Sequence, residues 1–255
     1  RMDEISILAR NLNSMADSLE DQEQKRHEFI SNISHDLRSP LTSIMGYLQA
    51  IIDGVIPEDK ISKYLNIIYS ETERLNKMSN TILDLSKNKL NGTKLKYSNF
   101  NINELLEFVA ASLKVKAFDK KISIDFENIS NPVIVCADYE KIQRVVYNLL
   151  DNAIKFTNKN GKITLKIEEK NDKAYISIID NGIGMKEDEQ TRVFDRLYKA
   201  DSSRGMDKTG SGLGLSIVKE FIKAHNEEIF VKSKIGKGST FTFTLKIYDG
   251  TGKEI

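Results

Sequence analysis

An intramolecular disulfide is excluded for this chain of 255 residues, because it has a single cysteine, Cys136. Cys136 sits in the apolar run Val133-Ile134-Val135-Cys136, where a small buried hydrophobe is the expected role, and a reducing compartment fits. Net charge is also scarce: 38 basic against 37 acidic residues leave +1, no field to draw in nucleic acid or an anionic membrane surface, so partners have to be recognised at local sites. No stretch approaches the roughly 18 to 20 consecutive apolar residues of a membrane span, and Arg1 opens no signal-peptide pattern. A soluble fragment is expected. There is no long repeat and no low-complexity tract. What is present, 40% apolar and 29% charged residues, supports more than one core, in two domains with a connector.

Ile5, Leu8, Leu12, Met15 and Leu19 alternate three- and four-residue steps with polar residues between them, the seam of a coiled coil that predicts dimerisation. The same spacing next places Gln22 and Arg26 on the seam, a weak point suited to a change of register, before Phe29 and Ile33 restore it. The apolar face then runs through Leu37, Leu41, Ile44 and Leu48 to Ile51 or Ile52. Pro40 lies inside it, so one long helix bent there is expected. Gly54 and Pro57 interrupt the pattern, and a second amphipathic run follows through Ile61, Leu65, Ile68, Leu75, Met78, Ile82 and Leu85. The two runs predict a helical hairpin. Its long apolar face calls for a second hairpin, and two make a four-helix bundle.

Near Asn91-Gly92 the helical pattern stops. Strand-like stretches at 122–126, 132–136, 163–168, 174–180, 228–233 and 240–247 alternate with helical patterns at 102–118, 139–156 and 213–225. This predicts a separate α/β domain with a largely antiparallel sheet and helices on one face. His225 followed by Asn226 reads as the end of the last helix, since Asn tolerates the left-handed cap conformation.

His35 lies two residues from both Ile33 and Leu37, about 200° around a helix from each, so it points away from the seam. Position alone fits an ordinary surface histidine. Its neighbours add to that: Asp36 can accept a hydrogen bond from one ring nitrogen and leave the other as an unprotonated nucleophile, Arg38 adds a positive charge, and Pro40 removes a backbone donor and loosens the turn. His27 and His225 lack such a setting and read as structural or solvated.

Asn148, Asn152 and Lys155 share one face of a predicted helix. Two amide carbonyls and an ammonium suit a hydrated Mg²⁺ and its phosphates; alone, they suit a solvated helix face equally. Asp180 ends an apolar strand and is followed by Asn181-Gly182-Ile183-Gly184, an acceptor for an exocyclic amino group beside glycines that let backbone come close to a ligand. A second cluster, Gly210-Ser211-Gly212-Leu213-Gly214, opens the last helix, where free amides favour phosphate. The third, Gly236-Lys237-Gly238, reads as a tight turn. Together they point to a nucleotide, although the spacing fits neither a Walker A loop nor a Rossmann fingerprint.

The run from Phe29 to Thr42, Phe-Ile-Ser-Asn-Ile-Ser-His-Asp-Leu-Arg-Ser-Pro-Leu-Thr, resembles the phosphoacceptor box of bacterial sensor histidine kinases. The order Asn148 to Lys155, Asp180 to Gly184, Phe194 to Tyr198 and Gly210 to Gly214 resembles the N, first glycine, F and second glycine boxes of the Bergerat-type, histidine kinase-like ATP-binding domain, shared with gyrase, the Hsp90 chaperone and MutL repair ATPases. The resemblance implies a hairpin dimerising into a four-helix bundle, followed by an α/β sandwich that binds ATP. It implies that His35 carries the phosphoryl group, that Asp36 orients or deprotonates it with Arg38 nearby, and that a response-regulator receiver domain is the partner. Ser39, four residues after the histidine where many members carry Thr or Asn, is the phosphatase candidate. Asn152, helped by Asn148, would hold Mg²⁺; Asp180, with Gly182 and Gly184, would read adenine; Phe156 and Thr240 would flank the base. Lys155, Arg196 and Lys199 would face phosphates with Gly210, Gly212, Leu213 and Gly214, under a lid running from Asp195 to Ser211. Lys199 stands where many relatives carry Arg, so it lacks the bidentate fork.

Residues from Met2 to Leu19 resemble the end of a HAMP signalling module, which implies the cytoplasmic part of a larger receptor anchored in the cell membrane. The expected division is 1–22 for the HAMP end and coiled coil, 23–91 for dimerisation and phosphotransfer, 92–98 for a linker, 99–248 for ATP binding and 249–255 for a tail. An ATP-dependent autokinase that phosphorylates His35 and passes the group to a regulator aspartate is the leading reading. A conformational ATPase of the gyrase, Hsp90 or MutL type, or a scaffold that transmits a helical signal without chemistry, are the alternatives.

Overall fold

The structure is a computed structural model and describes residues 2–91, 95–127, 131–195, 198 and 212–250. The chain divides into two compact units at Asn80 and Thr81.

The first unit holds α1 (Met2–Ile52) and most of α2 (Glu58–Asn91). Helix α1 runs unbroken through Pro40. Because Pro40 has no N–H, the carbonyl four residues earlier, that of Asp36, loses its helical donor. Ser34, Thr42 and Ser43 each turn a hydroxyl back onto the carbonyl four residues before it, a habit that bends helices. The helix ends where Gly54 adopts φ +67°, with Val55 N–H donating to Ala50 O and Gly54 N–H to Ile51 O. These are the paired bonds of a Schellman cap, which satisfy carbonyls that the helix end would orphan. Chain reversal brings Tyr47 and Tyr64 to 5.3 Å between ring centroids, so the expected hairpin is present. Leu8, Leu12, Met15 and Leu19 remain 64 to 67% exposed, an apolar stripe that this chain does not cover for itself.

The second unit is an α/β sandwich. Its sheet has five strands in the order β2 (Ser123–Glu127), β4 (Lys162–Lys170), β5 (Lys173–Asp180), β7 (Gly238–Lys246), β6 (Ile229–Lys234). Only the β2–β4 pair is parallel. Period-two alternation sorts the faces: Ile163, Leu165, Ile167, Ile176, Ile178, Phe241, Phe243 and Leu245 form the buried apolar face, and of the positions between them Thr164, Ser177, Thr242 and Thr244 are buried hydroxyls, with Ser177 and Thr242 paired at 2.8 Å. Against the apolar face lie the buried sides of α3 (Ile102–Ser112), α5 (Tyr139–Phe156) and α7 (Gly214–Ala224).

Three features differ from the sequence expectation. The helical pattern 102–118 splits at Leu113 into α3 and α4 (Lys114–Asp119). A short helix α6 (Glu187–Arg192) follows the first glycine cluster. The segment β1 (Tyr97–Asn101), too polar to alternate, pairs antiparallel with β3 (Ile134–Asp138) in a separate two-stranded sheet. Cys136 on β3 is half-buried and free.

His225 ties these parts together. It is buried; Nδ1 meets Phe221 O at 2.7 Å and Nε2 accepts from Asp138 N–H at 3.0 Å, which fixes the neutral tautomer with its proton on Nδ1. Asp138 in turn caps α5 through Lys141 N–H and holds Lys96 N–H. Burial pushes the imidazole pKa down, against the Phe221 carbonyl and the charges of Asp138 and Glu227. A depressed value contributes stability that is full above the unfolded-state pKa of about 6.5 and is lost as pH falls through the folded-state value. Lowering pH from 7.5 to 5.5 should therefore reduce the melting temperature of the sheet domain more in the full chain than in its His225→Gln variant; equal shifts in thermal melts would refute the link.

Candidate functional site

On the exposed side of α1, the His35 side chain is 82% exposed and that of Asp36 24%. Nδ1 stands 3.5 Å from Asp36 Oδ1, at the outer edge of hydrogen-bond range. One short rotation makes Nδ1–H the donor and leaves the Nε2 lone pair facing water. Arg38 and Ser39 are exposed on the same stretch of helix, and Ser39 is one turn beyond the histidine. His27 is exposed, as its lack of a setting suggested.

In the sheet domain, Asp180 ends β5 and is 6% exposed. Its Oδ1 accepts from Gly182 N–H at 2.8 Å and Ser239 N–H at 3.2 Å, whereas its Oδ2 accepts no hydrogen bond among the described residues. Burial pushes this carboxyl up, and the two backbone donors partly offset it. A buried carboxylate with one oxygen held and the other open is a directed acceptor.

The first glycines prove to be shaped by protein as much as by any ligand. A Cβ on Gly182 would come within 2.3 Å of Phe156 O, and one on Gly184, at φ +68°, within 2.0 Å of Lys234 O. The third cluster is more than the tight turn expected of it, because a Cβ on Gly238 would lie 1.9 Å from Asp180 O. Only Gly236, at φ +72° in open space, fits the turn reading alone.

Helix α5 acts as a ruler. At its C-terminal end, Phe156 O accepts from Ile183 N–H, which sets the helix beside the Asp180 loop; half-buried Thr240, on β7, pairs with Ile179 next to that aspartate. Eight residues earlier, about 12 Å along the axis, Asn148 faces the start of α7. The Asn148 Oδ1 is 3.6 Å from where a Cβ on Gly214 would sit. Asn148 Nδ2 is buried without a partner, as is Thr157 Oγ1, for which the structure offers no reason. Turning the amide over presents its oxygen at the same place. Half-buried Asn152 follows one turn along. Two neutral oxygen donors on one helix face, one of them on an orphaned amide, suit Mg²⁺, which takes oxygen ligands and keeps several waters. Gly212 has φ +66°, Leu213 is fully buried, and α7 starts without a side-chain cap, so its first amides lack intrahelical acceptors.

Lys155, expected to face phosphates, is paired with Asp151 at 2.9 Å. Lys116 reaches the same carboxylate at 2.8 Å. Burial would push the Asp151 carboxyl up, but the two ammonium groups outweigh it and hold it low. Lys120, unremarked in the sequence, donates to Ile154 O, Lys155 O and Thr157 O; it caps the end of α5 that carries Phe156, and burial pushes its pKa down. Phe194 is buried edge-on to Phe241, 6.1 Å between centroids. Arg196, Lys199 and Gly210, with most of the proposed lid, lie outside the described residues. Among the described residues, no group of three or more His, Cys, Asp or Glu side chains is placed to hold a metal.

Two family models match in order along the chain. Residues 25–91 match the His Kinase A (phospho-acceptor) domain, and residues 137–249 match the histidine kinase-, DNA gyrase B- and HSP90-like ATPase. The chain belongs to the sensor histidine kinases. Among curated relatives of these kinases, sensor histidine kinase YclK of Bacillus subtilis is 34% identical over 253 residues, covering 96% of this chain and 53% of its own. Sensor protein SrrB of Staphylococcus aureus is 34% identical over 224 residues, 88% of this chain and 38% of its own. The chain thus spans between about a third and a half of those relatives. Of solved structures, the histidine kinase ThkA in complex with the response regulator TrrA superposes with a TM-score of 0.72 at 26% identity, covering 92% of this chain and 67% of that one.

The glycine geometry yields a test. Gly184→Ala should lower the melting temperature of this kinase sharply, by the equivalent of about 3 kcal/mol or more, since a backbone carbonyl has to move. Gly214→Ala meets only ordinary contact and should fold with stability within about 0.5 kcal/mol of the parent, so that any loss of nucleotide binding in it reports on the ligand. Equal melting temperatures for the two variants would contradict the packing role of Gly184.

Proposed function

We propose that the chain is an autokinase: it binds Mg-ATP in the sheet domain, transfers the γ-phosphoryl group to His35, and passes it to an aspartate on a response-regulator receiver domain. One observation supports this above the others. The segment that matches a phospho-acceptor domain carries, on a solvent-facing helix side, a histidine 82% exposed beside a carboxylate. A gyrase- or chaperone-like conformational ATPase accounts for residues 137–249 but leaves that segment without a task.

In the proposed step, the Nε2 lone pair of His35 forms a bond to the γ-phosphorus as the bond to the bridging oxygen breaks, and the electron pair leaves with ADP. Nδ1 keeps its proton, held by Asp36, which balances the positive charge that grows on the ring. Arg38 adds a cation near the incoming phosphoryl group. Mg²⁺, when bound, offsets the charge of the β- and γ-phosphates. Asn148 and Asn152 would hold it, with the amides of Gly212 to Gly214, where α7 begins, on the phosphates. Asp180 Oδ2 accepts from the adenine amino group, and Phe156 and Thr240 flank the base. Lys155 meets phosphate by leaving Asp151, which retains Lys116. Arg196, Lys199 and Gly210 belong to the phosphate side by sequence alone, and Ser39 positions a water for dephosphorylation of the partner.

The uncovered stripe at Leu8, Leu12, Met15 and Leu19 and the single hairpin support a homodimer through a four-helix bundle. The ThkA complex with its regulator supports docking of a receiver domain. No helix among the described residues is long and apolar enough to cross a membrane; the HAMP-like start and the greater length of the relatives support a cytoplasmic portion of a membrane-anchored receptor. The proposed division remains 1–22, 23–91, 92–98, 99–248 and 249–255.

With γ-labelled ATP and Mg²⁺, the protein should acquire acid-labile, alkali-stable label that is lost in His35→Gln, while ATP binding persists. Asp36→Asn should slow labelling by about a hundredfold or more, the usual contribution of a positioned acid–base group. Undiminished label in His35→Gln would overturn the assignment, and ATP turnover with no phosphoprotein would favour the conformational ATPase.

A further inference from the structure

We infer that Ser233 is a positioning residue for the base-reading carboxylate, an inference that rests on the reading of Asp180 given above. Ser233 lies on β6, opposite Ser239 on β7, and all its polar capacity is used within the protein. Its N–H donates to Gln190 Oε1 and its carbonyl accepts from Gln190 Nε2, each at 3.0 Å. The Gln190 amide therefore imitates a neighbouring strand for one residue at the open edge of the sheet. The Ser233 hydroxyl donates to Gly238 O at 2.9 Å, accepts from Met185 N–H at 2.8 Å, and lies 2.9 Å from Ser239 Oγ.

A hydroxyl has one proton and two lone pairs. With the proton on Gly238 O and one lone pair on Met185 N–H, the other lone pair takes the Ser239 proton. Ser233 is then saturated and offers nothing to a nucleotide. It acts on the loop that carries the glycines: Gly182 N–H fixes one end on Asp180 Oδ1, Met185 N–H fixes the other on Ser233, and Gly236 N–H holds Ile183 O between them. The same hydroxyl grips the stretch Gly238-Ser239, whose Ser239 N–H is the second donor to Asp180 Oδ1. Both donors that keep Oδ1 engaged, and so leave Oδ2 as the acceptor for an amino group, thus depend on one side chain. Removing it leaves Met185 N–H and Ser239 O–H without partners and frees the carboxylate to rotate.

The test compares the full chain with Ser233→Ala, Ser233→Thr and Asp180→Asn, measuring by calorimetry the Kd for ATP and for inosine triphosphate, which has an oxo group in place of the adenine amino group, alongside the melting temperature. Ser233→Ala should weaken ATP binding about tenfold and narrow the preference for ATP over inosine triphosphate, and Ser233→Thr, which keeps the hydroxyl, should restore both. A structural role alone would lower the melting temperature and weaken both ligands equally. If Ser233→Ala keeps the preference while Asp180→Asn loses it, the positioning role is wrong and the base-reading role of Asp180 stands. If Asp180→Asn keeps the preference, the reading of Asp180 fails and this inference with it. Should Ser233→Ala not fold, Ser233→Cys, which puts a weak donor and acceptor in place of the hydroxyl, carries the comparison: a narrowed preference upholds the inference and an unchanged one overturns it.

Discussion

The end of β5 buries a carboxylate that must stay half engaged, and much of the sheet domain answers to that requirement. A buried anion is costly unless it is hydrogen-bonded, so one Asp180 oxygen takes two backbone donors. One donor, Gly182, lies two residues beyond the strand end, and the other, Ser239, pairs with Asp180 across β7; backbone can approach so closely only where neighbouring side chains are missing. Space for a Cβ is denied at Gly182 by Phe156 O and at Gly238 by Asp180 O. Two glycine clusters more than fifty residues apart are therefore one device, and the cluster read as a mere turn belongs to it.

The two units answer to different constraints. The sheet domain closes its core with its own residues; Leu149, Leu150, Phe221 and Phe243 are all but fully buried. The hairpin leaves its N-terminal stripe exposed. The proposed phosphoacceptor has to be reached by a nucleotide and later by a second protein, and an exposed histidine on a continuous helix suits that demand. In the proposed dimer a second copy covers the apolar stripe, and the histidine, on the opposite side from the seam, stays free.

The sequence made the elements with strong periodicity legible. Helices α1, α5 and α7, and the strands from β4 onward, follow from apolar spacing, and the outward turn of His35 follows from its distance to Ile33 and Leu37. The cap at Asn226, with φ +58°, was likewise readable from chemistry. What was illegible lacked periodicity or depended on distant partners. Strand β1 is too polar to alternate and exists because β3 pairs with it. Leu113 breaks a continuous apolar pattern through a local change of backbone direction at φ −100°, ψ 1°. Lys155 looked free on its helix face, yet Asp151, one turn back, holds it. His225 read as a cap or surface group and turned out to join α7, β3 and α5.

The residues that escaped notice share a physical trait. Lys120, Gln190 and Ser233 all bond to backbone, and a carbonyl or N–H is chemically the same whatever residue bears it. No motif can therefore specify such a partner; only the fold brings it within reach. The converse holds for the groups that stand ready for a ligand. Asn148 Nδ2 has no partner, and Asp180 Oδ2 accepts from none of the described residues. Asn148 stands beside Gly214, eight residues and about 12 Å along α5 before Phe156, whose carbonyl holds the loop that follows Asp180. Among the described residues only Asn148 Nδ2 and Thr157 Oγ1 are buried side-chain polar atoms without a partner, and an orphan of that kind is costly to keep. An orphaned amide beside the start of α7 and an open carboxylate oxygen on the Asp180 side support the proposed ligand, with phosphates at one end and an amino-bearing base at the other. Hydrogen-bond accounting at Asn148 and Asp180 thus supports the proposed nucleotide site alongside the glycine motifs.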